Sequence, residues 1–318
     1  MLYLSEQDTR KVIDLERVLE IIEKVARAQE KNRVLWSEPG TSVLAIPEPK
    51  SRYRIKACAL PDIPIAGIRI IGYPQGVTGK HDSTRFVLLS DPGTGTPLAL
   101  IADQWNYTLR TAASAVTGLR FLLPKKPVPV ALIGAGNLAS AMVLILKHVG
   151  LLGPVTVTSR RLESRQKFGR EVEEKFHVPV RIAEDPREAV AGAALVVTAT
   201  NANKQLIEEN WVGKGVTLCT LGQYELSPEI YRKADKVVVD SWDVSKGVAD
   251  VKALVAAGAL DKSRLHAELH ELVVGTKKGR ENAEETIVFR TDGLVSQDVA
   301  IAYASYMTAR ERGVGVEL

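Results

Sequence analysis

The strongest constraint in this chain is the run Gly134-Ala135-Gly136-Asn137-Leu138-Ala139. It directly follows the apolar stretch Val128–Ile133 and opens a helix-forming segment from about Asn137 to His148. A first glycine permits a tight turn, and a second lets backbone amides approach a ligand closely. A small last residue allows close helix–sheet packing, and the helix N-terminus favours an anion. The same rhythm continues downstream. Strand-like Val155–Thr158, helical Leu162–Phe176, strand-like Val178–Ile182, a short helix near Pro186–Ala191 and strand-like Ala194–Thr200 follow in turn. Val216–Leu221 and Lys236–Asp240 add two more strands. Such alternation predicts a doubly wound parallel sheet, because parallel neighbours need a crossover connection. G-x-G-x-x-A inside a βαβ unit is the context of a dinucleotide fingerprint, so an α/β chain with a Rossmann domain is expected.

The end of the second strand refines the ligand. NAD sites usually carry an acidic residue about 20 positions after the fingerprint, on the ribose 2′-hydroxyl. Here the strand ends Val157-Thr158-Ser159-Arg160-Arg161, without a carboxylate. The Ser159 hydroxyl with the Arg160 and Arg161 guanidiniums suits a 2′-phosphate. NADP(H) is therefore the preferred cofactor, with NAD(H) the other candidate. Thr198, Thr200 and Asn201 close the fourth strand of the sheet and Gly222 follows the fifth. Ligands bind beyond the carboxyl ends of strands in open sheets. These four join Gly134, Gly136, Asn137, Leu138 and Ala139 as candidate cofactor contacts.

At 318 residues the chain exceeds the ~250 at which single cores stop growing. The sharpest break is Leu123-Pro-Lys-Lys-Pro-Val-Pro129, where three prolines forbid a helix. Before it, Ser5 with Asp8 resembles a capping box, and Val12, Leu15, Val18, Leu19, Ile22 and Val25 recur at helical spacing. Strand-like runs at Ser42–Ile46, Arg54–Ala59, Gly67–Gly72 and Thr84–Leu89 and a helix over Thr108–Leu122 make this half α+β. A final helix from Leu294 to about Arg312 is expected to return to it. The domains read as 1–124 with 302–318, and 125–301. A net charge of +4 and 5% aromatic residues argue against nucleic acid as partner. Cys58 and Cys219 make no disulfide framework, and neither an apolar membrane span nor a signal-peptide pattern occurs, so a cytoplasmic protein is expected. His266 and His270, read as one turn apart on an exposed helix, lack a third ligand, and no metal site is expected.

Several motifs occur together: Leu89-Ser-Asp91-Pro92-Gly93-Thr-Gly95-Thr-Pro97, Leu109-Arg110-Thr111-Ala112-Ala113, Ile133-Gly-Ala-Gly136, Thr198-Ala-Thr200 and Gly275-Thr-Lys-Lys-Gly279-Arg280. The combination resembles the ornithine cyclodeaminase/mu-crystallin family over about Leu4 to Gly313. The resemblance implies a Rossmann domain joined to an α+β catalytic and dimerisation domain, a homodimer, and a small carboxylate or imine substrate. It implies Arg110 as the partner of the substrate carboxylate. Arg69, in Gly67-Ile-Arg69-Ile70, stands where the family has an active-site lysine. It keeps a positive charge but cannot shuttle protons near neutral pH. Tyr107 replaces a threonine or serine, and the arginine usual near residue 40 is missing, with Arg52 or Arg54 the candidates to compensate. Cyclodeaminases carry an aspartate after the fifth strand. Gly222-Gln-Tyr224-Glu225-Leu226 has none, and Glu225 matches the following glutamate.

The expected activity is therefore an NADP(H)-dependent oxidoreductase acting on C–N bonds, reducing an imine or ketimine carboxylate or running the reverse. A cyclodeaminase-type lyase with recycled NAD and a non-catalytic, crystallin-like ligand binder are the alternatives. Tyr107, His81 and Asp103 are the candidate proton donors.

Overall fold

The computed structural model describes residues 1–75 and 83–318, so His81 lies outside the described residues. In chain order the elements begin β1 (Leu2–Leu4), α1 (Glu6–Val12), α2 (Leu15–Glu30), β2 (Leu35–Trp36), β3 (Ser42–Ile46), β4 (Ser51–Leu60), β5 (Ile65–Tyr73), β6 (Thr84–Ser90), β7 (Pro97–Ala102) and α3 (Gln104–Leu122). Next come β8 (Val128–Ile133), α4 (Asn137–His148), β9 (Leu152–Thr158), α5 (Leu162–Phe176), β10 (Val180–Ile182), α6 (Pro186–Val190), β11 (Leu195–Thr198) and β12 (Thr217–Thr220). The chain closes with α7 (Pro228–Lys233), β13 (Lys236–Val239), α8 (Trp242–Ser245), α9 (Ala249–Ala256), β14 (Leu265–Glu268), α10 (Leu269–Val274), β15 (Ile287–Arg290), α11 (Val295–Arg312) and β16 (Val316–Glu317). Two compact units result: Met1–Thr111 with Gly293–Leu318, and Ala112–Asp292. The first boundary falls within α3, ahead of the proline run, and the second just before α11.

The first unit is built on a sheet of order β16-β1-β7-β6-β5-β4-β2, with β3 also paired to β4. Strands β4 to β7 form an antiparallel meander, and β1 lies parallel to β7. The Ser5–Asp8 capping box forms at α1, and Val18, Leu19, Ile22 and Val25 are buried along α2. Period-two burial along β5 turns Ile65, Gly67, Arg69, Ile71 and Tyr73 to one face. Helix α11 packs on that face. Val299 takes the space above Gly67, where a Cβ would sit 2.6 Å from its Cγ2.

The second unit is an eight-stranded sheet in the order β10-β9-β8-β11-β12-β15-β13-β14. Every pairing in it is parallel. Strands β11, β12, β13 and β15 are buried at every residue, as helices on both faces require. The strand order reverses between β8 and β11, which is where doubly wound sheets open a crevice. One sequence expectation is overturned here. His266 lies in β14 and only His270 is helical, so the two histidines do not share a helix face. Parallel pairing of Leu265–Glu268 with β13 overrides the start of the helix expected over His266–Glu271.

Candidate active site

At the crevice of the second unit, the chain turns from β8 into α4 through Gly134, whose φ is +118°. A Cβ there would meet the Ala199 carbonyl oxygen at 2.7 Å, so only glycine fits. Its N–H donates to the Thr158 carbonyl at 2.8 Å, tying the loop to β9. Gly136 is the N-cap of α4 and supplies no side-chain cap. Gly136 and Asn137 are exposed, Leu138 is half-buried and Ala139 is buried. The first turn of α4 thus presents its amides to solvent, ready for an anion.

Arg160 and Arg161 are exposed, and their guanidiniums make no hydrogen bond or ion pair among the described residues. The Ser159 hydroxyl donates to the Arg161 carbonyl at 3.1 Å. Sequence reasoning missed Arg165, in the first turn of α5. Its Nη1 donates to the Thr158 hydroxyl (3.2 Å), the Ser159 carbonyl (3.4 Å) and the Glu184 carbonyl (2.7 Å), fixing the end of β9.

Glu225 has a structural task. Its buried carboxylate accepts from the Thr200 N–H at 2.9 Å, the Thr200 hydroxyl at 2.6 Å, the Gly222 N–H at 2.9 Å and the Thr220 hydroxyl at 3.3 Å. A Cβ on Gly222 would run into that carboxyl group. The loops after β11 and β12 are therefore clamped together, with Asn201 exposed beside them and the Thr198 hydroxyl buried without a hydrogen-bond partner among the described residues. A glycine cradle closed to any Cβ, open helix amides and an orphaned hydroxyl fit a dinucleotide.

The first unit holds a second cluster, spread across β5, β6, the loop after β7, α3 and α11. Arg69 donates through Nε to Asp103 Oδ2 at 2.6 Å, and its Nη1 lies 3.3 Å from Asp298 Oδ2. Arg110 donates through Nε to Asp298 Oδ1. Arg69 and Arg110 are only 3% and 2% exposed. Tyr107 sits among three guanidiniums, its ring centroid 4.9 Å from Arg69, 4.1 Å from Arg85 and 5.0 Å from Arg110. Gly293, at φ +80°, leaves room for the Arg110 guanidinium where a Cβ would collide with it.

Charge in this cluster is unevenly matched. Burial lifts the Asp103 carboxyl to about 6, with Arg69 opposing and the like charge of Asp298 adding to the rise. Burial works against the Arg69 charge, but Asp298 and Asp103 outweigh it and hold the guanidinium more firmly protonated than usual. Lys56, directly across from Arg69 on β4, is lowered to about 8 by burial and by Arg54 and Arg69. Sequence reasoning missed Lys56, Arg85 and Asp298. Among the described residues Arg69 Nη2, Arg110 Nη1 and Asp103 Oδ1 are buried without a hydrogen-bond partner. Two buried guanidiniums with spare N–H donors could hold an anionic group. No group of three or more His, Cys, Asp or Glu among the described residues could hold a metal ion.

A doubly wound parallel sheet with this glycine loop at its first crossover defines a Rossmann-fold protein. The chain belongs to the ornithine cyclodeaminase/mu-crystallin family, whose model matches residues 65–313, in line with the resemblance carried by the motifs. It is 28% identical to Delta(1)-pyrroline-2-carboxylate reductase of Bacillus cereus, covering 99% of this chain and 98% of that one. It is 29% identical to N-((2S)-2-amino-2-carboxyethyl)-L-glutamate dehydrogenase of Staphylococcus aureus, over 80% of this chain and 77% of the relative. Among solved structures, Thermococcus litoralis Delta(1)-pyrroline-2-carboxylate reductase in complex with NADH and L-proline superposes with a TM-score of 0.92. It is 27% identical, over the whole of both chains.

Proposed function

We propose that this protein is an NADP(H)-dependent oxidoreductase that reduces the C=N bond of an imino carboxylate to an amino acid, or runs the reverse oxidation. The observation that carries the reading is the pair of unpartnered, buried guanidinium N–H groups on Arg69 and Arg110. They leave two charge-assisted donors available to a carboxylate. Relatives that act on pyrroline-2-carboxylate agree with that class of substrate.

Gly134, Gly136 and the first turn of α4 hold the pyrophosphate, and Leu138 and Ala139 pack the helix on the sheet. Thr198, Thr200, Asn201 and Gly222 line the crevice between β8 and β11. Ser159, Arg160 and Arg161 take the 2′-phosphate, which favours NADP(H) over NAD(H) because no carboxylate there repels it. When bound, the cofactor supplies the hydride in reduction and takes it in oxidation. Arg69 and Arg110 fix the substrate carboxylate, and Asp298 holds both guanidiniums in one orientation. Tyr107 supports the three guanidiniums stacked on its ring. Asp103, with one unpartnered oxygen and a carboxyl raised to about 6, can hold a proton beside the substrate. Glu225 is committed to the loop clamp, so it does not stand in for a cyclodeaminase aspartate.

The unit Met1–Thr111 with Gly293–Leu318 supplies substrate recognition and dimerisation in this reading. The sheet face away from α11 carries Tyr53, Ile55, Ile68, Ile70, Phe86 and Leu88, all exposed or half-exposed, and a second copy of the chain is the occupant that would cover it. The test follows NADPH oxidation with pyrroline-2-carboxylate, other cyclic imino carboxylates, and 2-oxo acids supplied with ammonia or amines. Arg110→Ala should lose most turnover while still binding NADPH. Unaltered turnover in that variant refutes the assignment.

A further inference from the structure

The carboxylate pocket holds more positive charge than one carboxylate can offset. Arg54 and Lys56 alternate along β4, facing the same side as Arg69 on β5 and Arg85 on β6. Arg110 completes the group. Among the described residues Asp103 and Asp298 are the carboxylates paired with this group, through Arg69 and Arg110, while Arg85 donates to Gln104. Among the described residues neither the Arg54 nor the Lys56 side chain makes a hydrogen bond or an ion pair. Lys56 is surrounded by Arg54, Arg69 and Arg110, with Asp298 the attracting charge. A fold gains nothing by gathering uncompensated cations on a largely buried face, since each resists desolvation. A ligand with a second negative charge would compensate them.

We infer that the substrate is an imino acid with a second carboxylate, bound by Lys56 and Arg54 while Arg69 and Arg110 hold the carboxylate beside the reacting carbon. The inference rests on the proposed imine chemistry and names its substrate class. Lys56 and Arg69 are direct cross-strand partners, and neighbouring strands lie about 4.8 Å apart. That pitch is close to the spacing of carboxylates in a short diacid, which favours four- and five-carbon skeletons over longer ones. Both carboxylates would then sit on one strand pair, one at each basic row.

Two measurements on the NADP(H)-loaded protein test this. The first compares kcat/KM for 2-oxoglutarate and oxaloacetate with that for 2-oxobutyrate, each with the same amine. A single charge-assisted hydrogen bond predicts a preference of about tenfold or more for the diacids. Lys56→Met and Arg54→Met should each shrink that ratio, and Lys56→Arg should retain most of it. The second titrates succinate, glutarate and butyrate by calorimetry, with the same order of preference expected. Tighter diacid binding without turnover of any imine would support the substrate class and count against the proposed chemistry alone. Equal use and equal binding of mono- and diacids, or a ratio indifferent to both methionine variants, overturns the inference.

Discussion

Lys56 gives the sharpest test of how the pocket is charged. Its ammonium ordinarily titrates at 10.5 and is lowered here to about 8, first by burial and then by Arg54 and Arg69. The folded chain therefore releases this proton more readily than the unfolded chain does. By linkage, the charged lysine disfavours the fold below pH 8; that penalty fades between pH 8 and 10.5 and is gone above. At 1.36 kcal/mol per pH unit the full difference would be roughly 3 kcal/mol. The side chain is partly exposed, so about 1–2 kcal/mol is the reasonable expectation. Lys56→Met keeps an unbranched apolar stem and removes the charge. The variant should be more stable than the parent at pH 7 by about that amount, with the gain shrinking to nothing near pH 10.5. Urea titrations of both proteins at pH 7, 9 and 10.5 measure it, because groups that titrate equally in the two cancel in the difference. A less stable variant at pH 7, or a gain that persists unchanged at pH 10.5, would show that the lysine charge is not the unfavourable quantity.

Three other perturbations probe separate parts of the molecule. Asp298→Asn leaves the Arg69 and Arg110 guanidiniums buried with one carboxylate fewer, which should destabilise by about 3–5 kcal/mol in urea. As a positioning residue it should also raise KM for the imine more than it lowers kcat. Glu225→Ala orphans the Thr200 and Gly222 amides at about 1–3 kcal/mol each, and should weaken NADH and NADPH binding alike in fluorescence titrations. Replacing Arg160 and Arg161 with alanine should weaken NADPH binding at least tenfold and NADH far less; equal losses would remove the 2′-phosphate assignment.

What could be read from sequence was local. Gly134 and Gly136 act through their own backbone, and the alternation of β8 to β11 with helices is written in short periodic segments. Arg165 was invisible because its role depends on reaching back to Thr158 and across to Glu184. Asp298 reads in sequence as an acidic residue in the first turn of a helix, a common device against the helix dipole. Its pairing with Arg110 spans 188 positions, a separation that no spacing rule carries. Strands β14 and β15 have four residues each, too short for periodicity to separate strand from helix.

Arg69, at the position where the motif resemblance implies a lysine, shapes the titration of the groups around it. Arg69 is held more firmly protonated than a free arginine, so proton exchange at that position is closed. The groups around it have moved the other way. Asp103, bonded to Arg69, is raised to about 6, and Lys56, across the strand, is lowered to about 8. The groups shifted toward neutral pH are thus the two neighbours of Arg69, one on the loop after β7 and one on β4. The arginine gains a bidentate geometry that lysine lacks, and its fixed charge helps set both neighbours: it opposes the rise of Asp103 and pushes Lys56 down.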